Sequence, residues 1–113
     1  MRTAITGSLT LAEPLDVARA CLTCGWDITE VVTGPRPGVE EAACKWAAAN
    51  HRATHIIAAE ISRHGHAARR KQLEAMLQAA DALIVLWQGF DRDILAMLNA
   101  AQTRAMKVLE VRL

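Results

Sequence analysis

Two stretches of the 113-residue sequence bring together residue types that could do chemistry. The first is Thr33-Gly34-Pro35-Arg36-Pro37-Gly38-Val39-Glu40-Glu41, a loop framed by glycines that leads into a helical pattern. Glycines in such a loop let backbone amides approach an anion, and the following helix start presents unpaired N–H groups to it. Gly7, Gly34, Gly38, Gly65 and Gly89 all occupy comparable turns, where they also serve as ordinary turn residues. Successive helical side chains point about 100° apart, so Glu40 and Glu41 cannot both face one substrate bond. Glu40 is the candidate acid/base; both glutamates also suit the positive end of a helix. The second stretch is the basic run Arg63-His64-Gly65-His66-Ala67-Ala68-Arg69-Arg70-Lys71. His64 and Arg69 could neutralise a phosphate there, or the run is the solvated start of a surface helix. Cations at a helix N-terminus are unfavourable on their own, which favours a bound anion or an acidic partner.

Metal and redox chemistry find less material. His64 and His66 offer two nitrogen ligands without a cysteine or carboxylate pair to complete a tetrahedral set, so no metal is expected. Cys21 and Cys24 have C-x-x-C spacing at the end of a helical segment, whereas reactive pairs favour helix starts; they read as structural thiols. Trp87-Gln88-Gly89-Phe90 could stack on a base or form core or subunit-contact surface.

The frame for these residues is a strict alternation. β-rich runs at Thr3–Thr6, Ile28–Thr33, Thr54–Ala58, Ala82–Trp87 and Lys107–Val111 are separated by four helical segments. The first helix follows Thr10 and Glu13, which have capping-box spacing, with Pro14 in its first turn and an end near Cys24-Gly25. The second spans about Val39 to Asn50, with an apolar stripe of Val39, Ala42, Ala43, Trp46 and Ala47. The third spans about Ala67 to Ala79, burying Leu73, Met76, Leu77 and Ala80 with Arg69, Arg70, Lys71 and Glu74 mostly off that face. The fourth spans about Asp91 to Arg104, with Ile94, Leu95, Leu98 and Ala101 inward. Alternation of this kind predicts one α/β domain, a five-stranded parallel sheet with helices on both faces, in order 3-2-1-4-5 or 2-1-3-4-5. Ligands of such sheets bind beyond the carboxyl ends of the strands, so every candidate loop lies on one edge. Apolar residues make up 52% and the net charge is +1, which excludes a disordered chain and gives no global pull toward DNA or an anionic membrane. Without a long apolar run or a signal-like start, and with three cysteines, the expectation is a cytoplasmic protein with free thiols.

These residues carry a resemblance. The chain resembles the SLOG superfamily, the Rossmann-like group of Smf/DprA and the Lonely-Guy phosphoribohydrolases, and most of all its YspA-like branch, nearly end to end. Ile5-Thr6-Gly7-Ser8-Leu9 is similar to the branch's opening strand and Gly-Ser-Arg turn, with Leu9 in place of arginine. Gly34, Gly38, Glu40, Trp46 and Ala47 fall in register with its second loop and helix, with Pro35 replacing a glycine. His64, Gly65, Ala68 and Met76 match a later segment whose Arg-Asn pair is Gln72-Leu73 here. Trp87 and Gly89 align with the last loop, Arg92 falls at a variable position, and a Gly-Thr pair is replaced by Asp93-Ile94.

The resemblance implies order 3-2-1-4-5 and a site for a nucleotide or nucleotide-derived ligand of ADP-ribose or NAD type, with Gly7, Ser8, Gly34, Arg36, Gly38, Glu40, His64, Gly65, Arg69, Gly89 and Arg92 as its candidate residues. The departures point to an altered site. A carboxylate such as Asp93 about 4 Å from a phosphate would cost on the order of 4 kcal/mol at an effective dielectric of 20, more than a helix terminus returns. Arg69, at a position that is small in the family, either supplies charge or plugs the pocket. The phosphoribohydrolase glutamate falls at Met97. The expectation is therefore a non-catalytic binding module, as a homodimer or higher homo-oligomer; the alternative is a nucleotide N-glycosidase or phosphoribohydrolase-like hydrolase using Glu40. No other cofactor is implied.

Overall fold

The computed structural model describes residues 1–10 and 13–113. The strands are β1 (Arg2–Gly7), β2 (Glu30–Thr33), β3 (Ala53–Ile56), β4 (Ala82–Trp87) and β5 (Lys107–Arg112). The helices are α1 (Pro14–Thr23), α2 (Val39–Ala49), α3 (Ile61–His64), α4 (Ala68–Gln78) and α5 (Arg92–Thr103), with a 3-10 turn at Gly65–Ala67 between α3 and α4. All strands are parallel, in order β3-β2-β1-β4-β5. This is the three-layer Rossmann-like arrangement with the second of the two open orders eliminated.

Strict alternation along the strands builds two cores. Ile5, Val31, Ile84 and Leu86 point to one side, against Val17 and Ala20 of α1 and Val39, Ala43 and Ala47 of α2. Their neighbours Ala4, Val32, Leu83 and Val85 point to the other, against Leu73, Met76 and Leu77 of α4 and Ile94, Met97 and Leu98 of α5. Both faces of β1 and β4 are thus covered, which is why β4 (Ala82–Trp87) reads as a continuous apolar run and why even the threonines of β1, Thr3 and Thr6, are buried.

Three details differ from expectation. On α5, Met97 is buried while Leu95 is 50% exposed. Met97 lies three residues after Ile94 and four before Ala101, so the helical period carries it inward and Leu95 outward. The segment expected to be loop before α4 contains α3 and the 3-10 turn. The capping box expected at Thr10 brackets residues 11 and 12, outside the described residues; α1 opens at Pro14, with Glu13 flanking it and making no side-chain cap bond.

Cys21 packs into the α1 core and Cys24 Sγ donates to the carbonyls of Cys21 and Trp26, consistent with structural thiols. Burial, and then the neighbouring Cys24, push the Cys21 thiol up to about 12. A thiol with a raised folded-state pKa contributes stability that is lost as pH rises, here through the window from about 9 to about 12. Cys21 is therefore expected to resist iodoacetamide at pH 8 in the native protein and to react on unfolding, as peptide mass spectrometry would report. Native labelling of Cys21 as fast as in denaturant would contradict its placement.

Candidate functional site

Among the described residues, two clefts open at the carboxyl edge of the sheet. The first, about 280 Å³, is lined by the β1 turn (Gly7, Ser8, Leu9, Thr10), by Arg36, and by the β4–α5 segment including Trp87, Phe90 and Asp91. The second, about 430 Å³, lies toward the β3 side and includes Ala59, Ile61, Gly65, His66 and Ala68. Arg36 lines both, and Arg69 lines the second.

Glu40 lies beneath them. Its side chain is 1% exposed, and Thr6 Oγ1 and Arg69 Nη1 each donate to its Oε2 at 2.7 Å. The Arg36 backbone N–H donates to its Oε1 at 3.3 Å. Arg69, 16% exposed, also donates from Nη1 to Gln72 Oε1 at 2.8 Å and from Nη2 to Thr6 Oγ1 at 3.2 Å. Gln72 Nε2 in turn donates to the Ile57 carbonyl at 2.8 Å. The network ties β1, α2, α4 and the segment after β3 together at the point where the chain leaves the sheet. Gly34 is required by this packing, because a Cβ there would meet Glu40 Oε1 and Gln72 Nε2.

Arg36 is the opposite case. Its guanidinium is partly buried and has neither a hydrogen-bond nor an ion-pair partner among the described residues, although it lines both clefts. Burial lowers its pKa, the charge of Arg69 lowers it further, and Glu40 and Asp91 act in the opposite direction.

The first loop is spoken for by the fold. Ser8 N donates to Leu86 O at 2.9 Å, and Ser8 O accepts from Val39 N at 3.0 Å, so neither Ser8 N nor the first amide of α2 is free for an anion. A Cβ on Gly7 would overlap Leu86 O, and one on Gly38, whose φ is 84°, would overlap Ser8 O. These glycines permit close backbone packing in place of the expected backbone anion cradle. Ser8 Oγ accepts from Thr10 N at 3.1 Å, leaving the two hydroxyls as the polar groups of that wall.

The candidate residues therefore separate. Gly7, Ser8 and Arg36 meet in the first cleft, and Arg36, Gly65 and Arg69 in the second. Glu40, Gly34 and Gly38 support them from below. His64 lines a separate hollow with Glu60 and Lys71, Gly89 backs onto the Arg112 guanidinium, and Arg92 is an exposed first residue of α5 that lines neither cleft. The carboxylate at the α5 start is also displaced from expectation. Asp91 lines the first cleft and caps α5, its Oδ1 accepting from Asp93 N at 2.9 Å and Ile94 N at 3.2 Å. Asp93 instead faces the hollow between α4 and α5.

Sequence reasoning missed Asp91, Thr6 and Gln72. Asp91 had a signal, an aspartate immediately before a helical apolar pattern. Gln72 and Arg69 had another: they lie one turn before Met76 and Leu73 respectively, on the inward stripe, where Arg69 was expected to lie off it. Trp87 is held in place by Nε1, which donates to Glu110 Oε2 at 2.7 Å, and by the Arg112 guanidinium 5.3 Å from its ring centroid. The bonds from Arg112 and then Trp87 hold the Glu110 carboxyl below its usual range. No group of three or more histidine, cysteine, aspartate or glutamate side chains converges among the described residues. No helix among them is long and apolar enough to cross a membrane. Compared with protein families, with curated proteins and with solved structures, the chain matches none.

Proposed function

We propose that this chain is a cytoplasmic binding module for a nucleotide or nucleotide-derived ligand of ADP-ribose or NAD type, held in the first cleft without being transformed. The observation that carries this reading is the Arg36 guanidinium, unpartnered among the described residues and set at the junction of two clefts on the ligand edge of a Rossmann-like sheet. A phosphate on Arg36 gains a charge-assisted hydrogen bond of about 1.5–3 kcal/mol. Ser8, Thr10 and Asp91 are suited to sugar hydroxyls, which can donate to a carboxylate where a phosphate would be repelled. Leu9 and Phe90, the latter 92% exposed, supply apolar surface for a base. The strand order agrees with the one that the SLOG resemblance implies. Binding is preferred to hydrolysis because Glu40, the acid/base candidate, is buried with both carboxylate oxygens engaged. Self-association belongs to the same reading: Leu15 and Leu22, both exposed, lie two helical turns apart on α1.

A thermal-shift screen against AMP, ADP-ribose, NAD, cyclic nucleotides and single-stranded DNA tests it. A true ligand at about 100 times its Kd is expected to stabilise the fold by about 2.7 kcal/mol, a shift of several degrees for a domain of this size. The absence of a shift with every nucleotide would reject the reading. Base release measured chromatographically would replace it with the hydrolase.

A further inference from the structure

The second cleft differs in kind from the first. Ala59, Ile61 and Ala68 form apolar walls, its charged groups are Arg36 and Arg69 with His66 alongside, and among the described residues no carboxylate or side-chain hydroxyl lines it. Among the described residues, Arg69 is paired with Glu40 and Arg36 is not paired. Arg69 commits Nη1 to two acceptors and Nη2 to one, while its Nε is buried without an acceptor. Arg36 brings a second cation to the same space, unpaired among the described residues. Two guanidinium groups against one carboxylate leave an excess positive charge beside an apolar wall. Ile61, 72% exposed, leaves a large aliphatic side chain in water at this cleft. Sugar hydroxyls would find no carboxylate or hydroxyl partner here, whereas a hydrocarbon tail would cover apolar surface.

We propose that the second cleft is a separate binding site for a small monocarboxylate with an aliphatic or aromatic tail, the carboxylate on Arg36 and the remaining Nη2 N–H of Arg69, the tail against Ala59, Ile61 and Ala68. The site stands on its own geometry, whether or not the first cleft takes a nucleotide. Because Arg36 lines both clefts, a carboxylate in one and a phosphate in the other compete for it.

The test is an NMR titration of isotope-labelled protein at neutral pH with butyrate, hexanoate, octanoate and phenylacetate, with hexanol and inorganic phosphate as controls. Saturable shifts are expected at the amides of Gly65, His66 and Ala68, with affinity rising along the aliphatic series. Hexanol is expected to bind at least about tenfold more weakly than hexanoate, since it lacks the charged hydrogen bonds. Arg36→Ala should weaken hexanoate by about tenfold or more. Ala59→Trp, which fills only this cleft, should abolish binding while leaving the Ser8 and Phe90 amides unperturbed. Equal binding of hexanol and hexanoate, shifts confined to Ser8, Thr10 and Phe90, absence of saturation, or undiminished binding in both variants would each overturn the proposal.

Discussion

Arg69→Ala is expected to destabilise the protein by about 3–5 kcal/mol, the cost of leaving a buried charge uncompensated. Glu40 is 1% exposed and would keep only Thr6 and the Arg36 amide as donors, while Gln72 Oε1 would lose its arginine partner. For a domain of this size that is a fall in Tm of roughly 10–20 °C. Removing both charges should cost much less than the sum of the single losses, because neither ion is left stranded. Urea denaturation of Arg69→Leu, Glu40→Leu and the double variant closes the thermodynamic cycle. A loss below about 1 kcal/mol for Arg69→Ala, or additive losses in the cycle, would show that the pair does not brace the fold internally. The same network bears on chemistry. An acid/base must reach the proton that it moves, and Glu40 is held by donors from β1, α4 and its own entry loop.

How far these features were legible depends on whether their cause is local. The strands and the alternation of Ile5 against Ala4, or of Ile84 and Leu86 against Leu83 and Val85, follow from short-range periodicity, and the parallel sheet follows from the alternation of elements. The choice between the two strand orders required the resemblance, since periodicity does not say which side of β1 receives β2. The site divides in the same way. Arg36 and the first-loop residues were identifiable because position on the sheet edge is a property of topology. The Glu40–Arg69 pair joins residues 29 apart in sequence, and no local pattern says whether an arginine turns toward a ligand or toward a carboxylate. Periodicity did hold part of that answer, since Arg69 precedes Leu73 by four residues on a stripe that buries Leu73, Met76 and Leu77. The three consecutive charges Arg69, Arg70 and Lys71 mask that signal, because a basic run has the pattern of a solvated helix face. Gly7, Gly34 and Gly38 show the converse error. A glycine needed for close packing against Leu86 O, Glu40 Oε1 or Ser8 O has the same sequence signature as one needed for approach to an anion.

Arg36→Ala separates binding from stability and has the largest expected effect on function. Its guanidinium makes no hydrogen bond or ion pair among the described residues, and burial and the charge of Arg69 both act against its ionised form. Truncation should therefore change stability by less than about 0.5 kcal/mol, and relief of the repulsion from Arg69 acts in the stabilising direction. The backbone N–H bond to Glu40 Oε1 survives the substitution. Binding of a phosphate-bearing ligand in the first cleft, by contrast, should fall by about ten- to a hundredfold, equivalent to the loss of one charge-assisted interaction. Arg36→Lys should be intermediate, since it restores the charge without the planar fork. Trp87 lines the same cleft, so its fluorescence offers a direct readout of the titration. Raising the salt concentration should weaken wild-type binding more than that of Arg36→Ala, because only the former contains the screened attraction. If nucleotide affinity in Arg36→Ala equalled that of the wild type at low salt, no phosphate would rest on Arg36 and the first-cleft reading would fall. A variant that lost binding and stability together would instead mean that Arg36 has a structural partner, and the unpaired cation on which the first-cleft reading rests would be gone.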